Sequence, residues 1–189
     1  MSLVRGYFAG LYVEKAMVVN KVEKAREIAN RVHSHQTDKL SVPYFAHLED
    51  VSKRVAHLGI DYEVVGLLHD VVEDVIPEQQ SSIENEIQKL FNKDVVYAID
   101  CMTMRNPPRY EQKEDYFQEY LPRLVKSEIA KEVKIADSSH NLSKAHLIED
   151  IDLQHKLRTK YVRVLDFLGV DGKSCEIPLI YKDKKWVIA

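Results

Sequence analysis

Apolar residues recur with a helical period along most of this 189-residue chain. Between Met17 and Gln36 they are spaced three and four residues apart, as on one face of an amphipathic helix. A helix capped by Asp61 and ended by Pro77 is predicted to carry the apolar run Val64 to Leu68 on nearly every face, which would make it central. Similar stripes continue to Gly169, so the pattern predicts an all-α protein of about eight helices.

The C-terminal tail has a different pattern. The apolar segments Ile177 to Tyr181 and Trp186 to Ile188 flank the charged run Lys182 to Lys185. Short apolar runs on either side of a polar turn predict a small β-hairpin. We expect a single domain over residues 1–189, with a helical core at about 17–169 and the hairpin at about 176–189.

The amino-acid composition limits which binding partners and which cellular location we expect for the protein. Lys and Arg total 27 and Asp and Glu total 30, a net charge of −3 that gives no bulk attraction to nucleic acid or anionic lipid. No apolar run approaches the roughly 20 residues of a membrane span. Cys101 and Cys175 are too few for a disulfide framework and predict reduced thiols in a cytoplasmic protein. The oligomeric state stays open, with a homodimer among the options.

Charge is concentrated at one end of the predicted central helix. Helical spacing would bring His69 and Asp70 beside Glu73 and Asp74. Partly buried like charges are costly unless a positive group compensates them, and no Lys or Arg lies between Gly59 and the end of this helix. A divalent cation is the simplest compensator, and ligands without sulfur suit Mn, Fe, Co, Ni or Zn. A solvated acidic helix end is the alternative, and the apolar flank before His69 argues against it.

Four short blocks of sequence, taken in their order along the chain, form a longer pattern. They are His33-Ser34-His35-Gln36, Pro43-Tyr44-Phe45-Ala46-His47, Leu67 to Asp74, and Lys134-Ile135-Ala136-Asp137-Ser138-Ser139-His140-Asn141-Leu142. Together they resemble the HD-domain phosphohydrolases, and more narrowly the hydrolase domain of the RelA/SpoT family and the stand-alone small alarmone hydrolases. The resemblance implies an HD-domain helical bundle.

The resemblance also implies roles for individual residues. One divalent metal ion, in this family usually Mn²⁺, would be held by His33, His69, Asp70 and Asp137. Glu73 and Asp74 would position and deprotonate the attacking water. The substrate, a small phosphorylated nucleotide, would be bound by Lys39, His47, Asn141 and Tyr161.

One departure from the family pattern lies where family members contact the guanine ring of the substrate. Family members usually carry Arg-Lys shortly after the first His, where the Arg stacks on guanine, whereas this chain has Asp38-Lys39. An acid at that position would repel phosphate. The residues therefore support the reaction class more strongly than the identity of the base.

Three hypotheses follow. The first is a metal-dependent phosphohydrolase of phosphorylated nucleotides, with guanosine 3′,5′-bis(diphosphate) 3′-pyrophosphohydrolase activity as the leading form. The second is a nucleoside 5′-monophosphate or other nucleotide phosphohydrolase. The third is a non-catalytic nucleotide-binding sensor, against which the Glu73-Asp74 pair argues, because a sensor needs no water-activating carboxylates.

Overall fold

Helices make up most of the computed structural model, which describes residues 21–104, 115–175, 179–182 and 185–188. The α-helices are α1 (described over 21–33), α2 (Tyr44–Val55), α3 (Ile60–Leu68), α4 (Pro77–Leu90), α5 (Lys93–Met102), α6 (Leu121–Leu124), α7 (Glu128–Lys144) and α8 (Ile151–Phe167). A π-helix, Tyr116–Tyr120, precedes α6, and 3₁₀ turns cover Ala56–Leu58, Ala145–Leu147 and Gly172–Cys175. The prediction of an all-α bundle of about eight helices is confirmed.

Helix α7 lies at the centre of the bundle, packed against α2, α3, α5 and α8. Its buried residues include Ala130, Val133, Ala136 and His140, which follow the three- and four-residue spacing of an amphipathic helix. Helix α3 is more deeply enclosed, because all five residues from Val64 to Leu68 are buried. The expectation that this apolar run is central is therefore correct.

Side-chain caps fix where several helices begin. Asn92 accepts a hydrogen bond from the Val95 N–H at the start of α5, and Ser127 accepts one from the Ala130 N–H at the start of α7. Asp150 caps α8 by accepting from two backbone N–H groups. Such caps satisfy amides that have no partner within the helix.

The predicted long helix from Asp61 to Pro77 is wrong. Helix α3 ends at Leu68, and the chain then turns, with the Val71 N–H donating to the Leu68 carbonyl at 3.1 Å. Pro77 begins α4 rather than ending α3, since proline lacks only an N–H that the first helical turn leaves unpaired. The Asp74 N–H still donates to the Asp70 carbonyl at 3.0 Å, so the expected four-residue proximity survives within a turn.

The C-terminal hairpin is present where the sequence predicts it. Strands β1 (Leu179–Lys182) and β2 (Lys185–Ile188) pair antiparallel, with Leu179 opposite Ile188 and Tyr181 opposite Trp186. The predicted start of the first helix at Met17 lies outside the described residues. Over the described part of the chain, every helix is too short or too polar to cross a bilayer.

Gly66 sets the distance between α2 and α3. A Cβ atom on Gly66 would lie 2.6 Å from the Ser52 Cα atom and 3.0 Å from its nitrogen, both of which are backbone atoms that cannot rotate away. The absence of a side chain therefore allows α3 to lie directly on α2. Both helices supply residues to the polar cluster described below.

Gly66→Ala is expected to lower the free energy of unfolding by about 1–3 kcal/mol, the usual cost of overpacking, despite the better helix propensity of alanine. Denaturant unfolding of the purified protein measures this. Asn30→Ala on the exposed face of α1 is the control and should change stability by less than about 0.5 kcal/mol. A neutral or stabilising Gly66→Ala would show that α2 and α3 do not pack this closely.

Candidate metal-binding and catalytic site

Three buried side chains from different elements meet at one point. His47 comes from α2, His69 directly follows α3, and Asp137 comes from α7, and one potential ligand atom from each lies within 4.8 Å of the others. The Asp137 Oδ1 atom is 3.3 Å from the His47 Nε2 and 4.0 Å from the His69 Nε2. Two imidazoles and a carboxylate at this spacing are the donor set of a transition-metal or zinc site.

The orientation of His69 supports metal binding. Its Nδ1 lies 2.9 Å from the Gly66 carbonyl oxygen, which can only accept, so the ring carries a proton on Nδ1. Its Nε2 is buried and makes no hydrogen bond. A buried imidazole nitrogen aimed at other ligand atoms, with the opposite nitrogen held by a carbonyl, is the usual arrangement of a metal-ligating histidine.

Asp70 and Asp137 are held by neighbouring donors. The Tyr44 hydroxyl donates to the Asp70 Oδ2 at 2.5 Å, and that oxygen lies 3.0 Å from the His69 Nε2. The Asn141 amide donates to the Asp137 Oδ1 at 2.6 Å. Both carboxylates are thus fixed beside the two imidazoles, and Asp70 can complete a ligand set with them.

Lys134 is a residue that the sequence argument overlooked. Its side chain is only 13% exposed, and its ammonium donates to the Asp137 Oδ2 at 2.9 Å. The site therefore contains a protein cation, supplied by α7 rather than by the segment after Gly59. The signal was available, because Lys134 and Asp137 are three residues apart on a predicted helix and must be neighbours.

The electrostatics of the cluster favour a bound cation. Burial lowers the pKa of His69, but the carboxylates of Asp70 and Asp137 outweigh burial and raise that pKa to about 9. Burial raises the pKa of Asp70, but the His69 imidazole outweighs this and holds it below its ordinary range. The carboxylates thus stabilise a positive charge on the imidazole, and a divalent cation can take over that role.

His33 lies beside this cluster and is not part of it. Its Nδ1 is 2.6 Å from the Gln36 Oε1 and 3.6 Å from the Asp74 Oδ2, and its ring packs on Tyr44 at a centroid distance of 5.0 Å. His47, predicted to bind substrate, stands in the cluster instead. His33 as a ligand stays a prediction, because its Nε2 is buried and makes no hydrogen bond, as is also true of His69.

The pKa values of Glu73 and Asp74 are raised, as expected for crowded carboxyl groups. Burial, and next the charge on Asp70, raise the pKa of Glu73 to about 7 and that of Asp74 to about 6. The Met104 N–H donates to the Glu73 Oε2 at 3.0 Å and fixes that side chain. A carboxyl group with a pKa near neutrality can accept a proton at physiological pH.

A cavity of about 340 Å³ opens onto the cluster. Its wall contains all four residues predicted to bind substrate, which are Lys39, His47, Asn141 and Tyr161. It also contains Asp70, Glu73 and Asp137, and three further lysines, Lys134, Lys144 and Lys160. A concave site with carboxylates at one place and several lysines around it suits a small anionic ligand.

Asp38 has a structural role that the sequence did not reveal. Its Oδ1 accepts hydrogen bonds from the Leu40 N–H at 2.8 Å and the Val42 N–H at 3.0 Å. It therefore closes the turn that leads into α2, in which Ser41 adopts a left-handed φ of 62°. Two backbone donors partly offset its charge, so the repulsion of phosphate expected at this position is weaker than the sequence suggested.

Comparison with known proteins gives relatives named as guanine-nucleotide pyrophosphohydrolases or pyrophosphokinases, although no family model matches the chain. A guanosine-3′,5′-bis(diphosphate) 3′-pyrophosphohydrolase of Borreliella burgdorferi is 29% identical over 159 residues, which are 79% of this chain and 23% of that protein. The enzyme of the same name from Aquifex aeolicus is 31% identical over 100 residues, covering 51% and 14%. A GTP pyrophosphokinase of Myxococcus xanthus is 27% identical over 130 residues, covering 64% and 16%. The chain thus spans less than a quarter of each of these relatives.

A solved structure has the same fold. It is described as a metazoan ortholog of SpoT that hydrolyzes ppGpp, and it superposes with a TM-score of 0.63 at 23% identity, over 82% of this chain and 89% of the other. The helical fold is consistent with an all-α HD-domain bundle. The chain is similar to the hydrolase domain of RelA/SpoT proteins, which confirms the resemblance found in the sequence.

Glu73→Gln is expected to stabilise the protein above about pH 7 when a chelator is present. The folded pKa of about 7 exceeds the ordinary 4.5, so stability falls as pH rises from about 4.5 and the loss is complete above about 7. Gln carries no charge and can still accept from Met104. The gain, about 2 kcal/mol at pH 8 and near zero at pH 4, is measured by denaturant unfolding. Glu27→Gln on the exposed face of α1 is the matched control, and an equal gain there would contradict the assignment.

Proposed function

We propose that the chain is a metal-dependent phosphohydrolase of small phosphorylated nucleotides, acting as a guanosine 3′,5′-bis(diphosphate) 3′-pyrophosphohydrolase. The observation that carries the proposal is the cluster of His47, His69 and Asp137 beside Glu73, whose pKa is close to neutrality. A metal site alone would suit many proteins. A metal site next to a base and a lysine-lined cavity suits hydrolysis of a phosphate ester.

The proposed ligands are His47, His69, Asp70 and Asp137, with Mn²⁺ as the proposed ion. Imidazoles and carboxylates without sulfur are compatible with Mn²⁺, and the buried Nε2 of His69 supplies a lone pair once the ion has displaced its proton. When bound, such a cation makes water more acidic and draws charge from a phosphoryl oxygen. The role of the protein is to hold these four side chains at fixed positions.

Glu73 is the proposed base and Asp74 its partner in orienting the water. The Met104 N–H fixes one Glu73 oxygen and leaves the other available to accept a proton. The raised pKa makes transfer from water to this carboxylate less unfavourable than it would be for an exposed glutamate. The group must be ionised to act, so the rate should rise with pH until Glu73 has lost its proton.

The lysines and polar residues of the cavity are the proposed substrate contacts. Lys39, Lys144 and Lys160 can neutralise phosphate groups, while Asn141 and Tyr161 can contact the sugar and base. Two of the relatives are named for removal of pyrophosphate from the 3′ position of a guanine nucleotide. Those names support the choice of substrate, and a cytoplasmic location is part of the same proposal.

The direct test is product release from a nucleotide panel with Mn²⁺ added and a chelator control. We expect pyrophosphate from guanosine 3′,5′-bis(diphosphate), lost on chelation. Glu73→Gln should reduce the rate by about 100-fold or more while the bound metal is retained, because a positioned base contributes about 10²–10⁴-fold. Phosphate from simple monophosphates instead would favour a nucleotidase. Nucleotide binding without any product would favour a sensor and contradict the proposal.

A second test decides between His47 and His33 as the ligand. His47→Ala should weaken Mn²⁺ binding by more than about 100-fold, since even changes in groups behind the ligands cost about 10- to 100-fold. His33→Ala, a matched change one element away, should keep the metal stoichiometry. Isothermal titration calorimetry measures both, after circular dichroism has shown that each variant is folded. The reverse result would restore the ligand set predicted from the sequence.

A further inference from the structure

The C-terminal end of α5 is held by two side chains from a later part of the chain. A helix leaves its last carbonyl groups without partners of its own, so they need donors from elsewhere. The Tyr120 hydroxyl donates to the Met102 carbonyl at 2.8 Å. The Arg123 guanidinium donates to the carbonyls of Asp100 at 2.9 Å and Thr103 at 2.6 Å. Tyr120 and Arg123 together are called the α5 clamp below.

The clamp comes from the π-helix and the short helix α6 that follows it. Pro122 has no N–H to donate, and the Leu121 N–H donates to the Tyr116 carbonyl, five residues back. Tyr120 is buried, and the guanidinium carbon of Arg123 lies 5.8 Å from the centroid of its ring. A guanidinium is a rigid fork, so the ring and two carbonyl groups together fix its position.

The end of α5 leads directly into the amide that holds the proposed base. Thr103 is the C-cap of α5, and the N–H of the next residue, Met104, donates to the Glu73 Oε2 at 3.0 Å. A shift of the α5 end would therefore move this amide relative to the carboxylate. Catalytic groups need to be held to within about 0.5 Å, and the hydrogen bonds of residues behind them provide this precision.

Tyr120 also contacts the other side of the site. The Lys134 ammonium lies 5.9 Å from the centroid of the Tyr120 ring, within the range of a cation–π interaction. Lys134 in turn donates to the Asp137 Oδ2. The clamp is thus linked to Asp137 through one contact and to Glu73 through the end of α5.

We infer that Arg123 and Tyr120 are positioning residues that hold the Met104 N–H against Glu73, and so hold the proposed base in place for proton transfer. The inference rests on the proposed function, because that proposal assigns the role of base to Glu73. It adds two residues that are absent from the described wall of the cavity and would not touch the substrate.

Hydrogen exchange of the Met104 amide tests this geometry without reference to turnover. The chain has four methionines, so selective ¹⁵N labelling of methionine gives few NMR signals, and Met104→Leu identifies the relevant one. Arg123→Lys keeps the charge and loses the fork, so it should raise the exchange rate of this amide by about tenfold or more. Arg26→Lys, at a partly buried arginine paired with Glu49, is the matched control and should leave the rate unchanged.

Steady-state kinetics measure the consequence for catalysis. Arg123→Lys should lower kcat for pyrophosphate release by about 10- to 100-fold with little change in KM, because misplacing a catalytic group can cost about 100-fold. Tyr120→Phe keeps the ring and loses one of three carbonyl contacts, so its loss in kcat should be smaller. Arg26→Lys should have the kcat of the wild type. A role in folding alone would lower Tm and leave the kcat of the folded protein unchanged.

The outcomes separate this inference from the proposed function. Absence of product from the wild type would overturn the proposed function and the positioning role that rests on it. Wild-type turnover with unchanged kcat in folded Arg123→Lys would overturn the positioning role alone, whether or not the exchange rate has changed. A lower kcat with unchanged exchange of Met104 would also overturn it, because Arg123 would then act by another route. If Arg123→Lys does not fold, Tyr120→Phe decides, and wild-type kcat and exchange in that variant would contradict the inference.

Discussion

The repulsion between clustered carboxylates is the interaction on which the rest of the structure depends. Asp70, Glu73, Asp74 and Asp137 lie close together where α2, α3 and α7 converge. Asp137 is buried and the other three carboxylates are partly shielded from solvent, so each negative charge is costly. The protein offsets part of this cost through Lys134 and the His69 imidazole, and part by leaving Glu73 and Asp74 easy to protonate. A divalent cation offsets the remainder. The charge repulsion that destabilises the fold thus also prepares the site to bind an ion and to accept a proton.

Packing and chemistry are linked most closely at Gly66. The missing side chain lets α3 lie on the Ser52 backbone, and the carbonyl of the same residue fixes the His69 ring through Nδ1. The position of α3 against α2 thus determines where the His69 Nε2 points. Helix α7 completes the site by placing Lys134, Asp137, His140 and Asn141 on successive turns that face the same cluster.

Much of the fold follows from the sequence, because helical stripes, caps and the C-terminal pattern are local signals. The central apolar run and the hairpin were predictable for this reason. The end of α3 was not, since Val71 and Val72 continue an apolar pattern and only their burial in a turn distinguishes them from a helix. Pro77 gave an ambiguous signal, because proline both ends helices and begins them.

Most residues of the site could be predicted from the sequence, but their arrangement in space was harder to predict. The spacing from His69 to Asp74 and the lysine three residues before Asp137 are local signals, and the first of them identified the chemistry. The choice between His33 and His47 depends on how α1 and α2 pack, and the turn closed by Asp38 depends on backbone contacts. Neither is encoded in local spacing, so only the structure brings His47 to Asp137.

Anomalous X-ray diffraction from crystals grown with Mn²⁺ is the measurement that tests the central claim most directly. The account predicts a single anomalous peak within bonding distance of the Nε2 atoms of His47 and His69 and of carboxylate oxygens of Asp70 and Asp137. A peak bound by His33 in place of His47 would require a different ligand set. The absence of any peak at the cluster, in protein that is folded and saturated with Mn²⁺, would contradict the account.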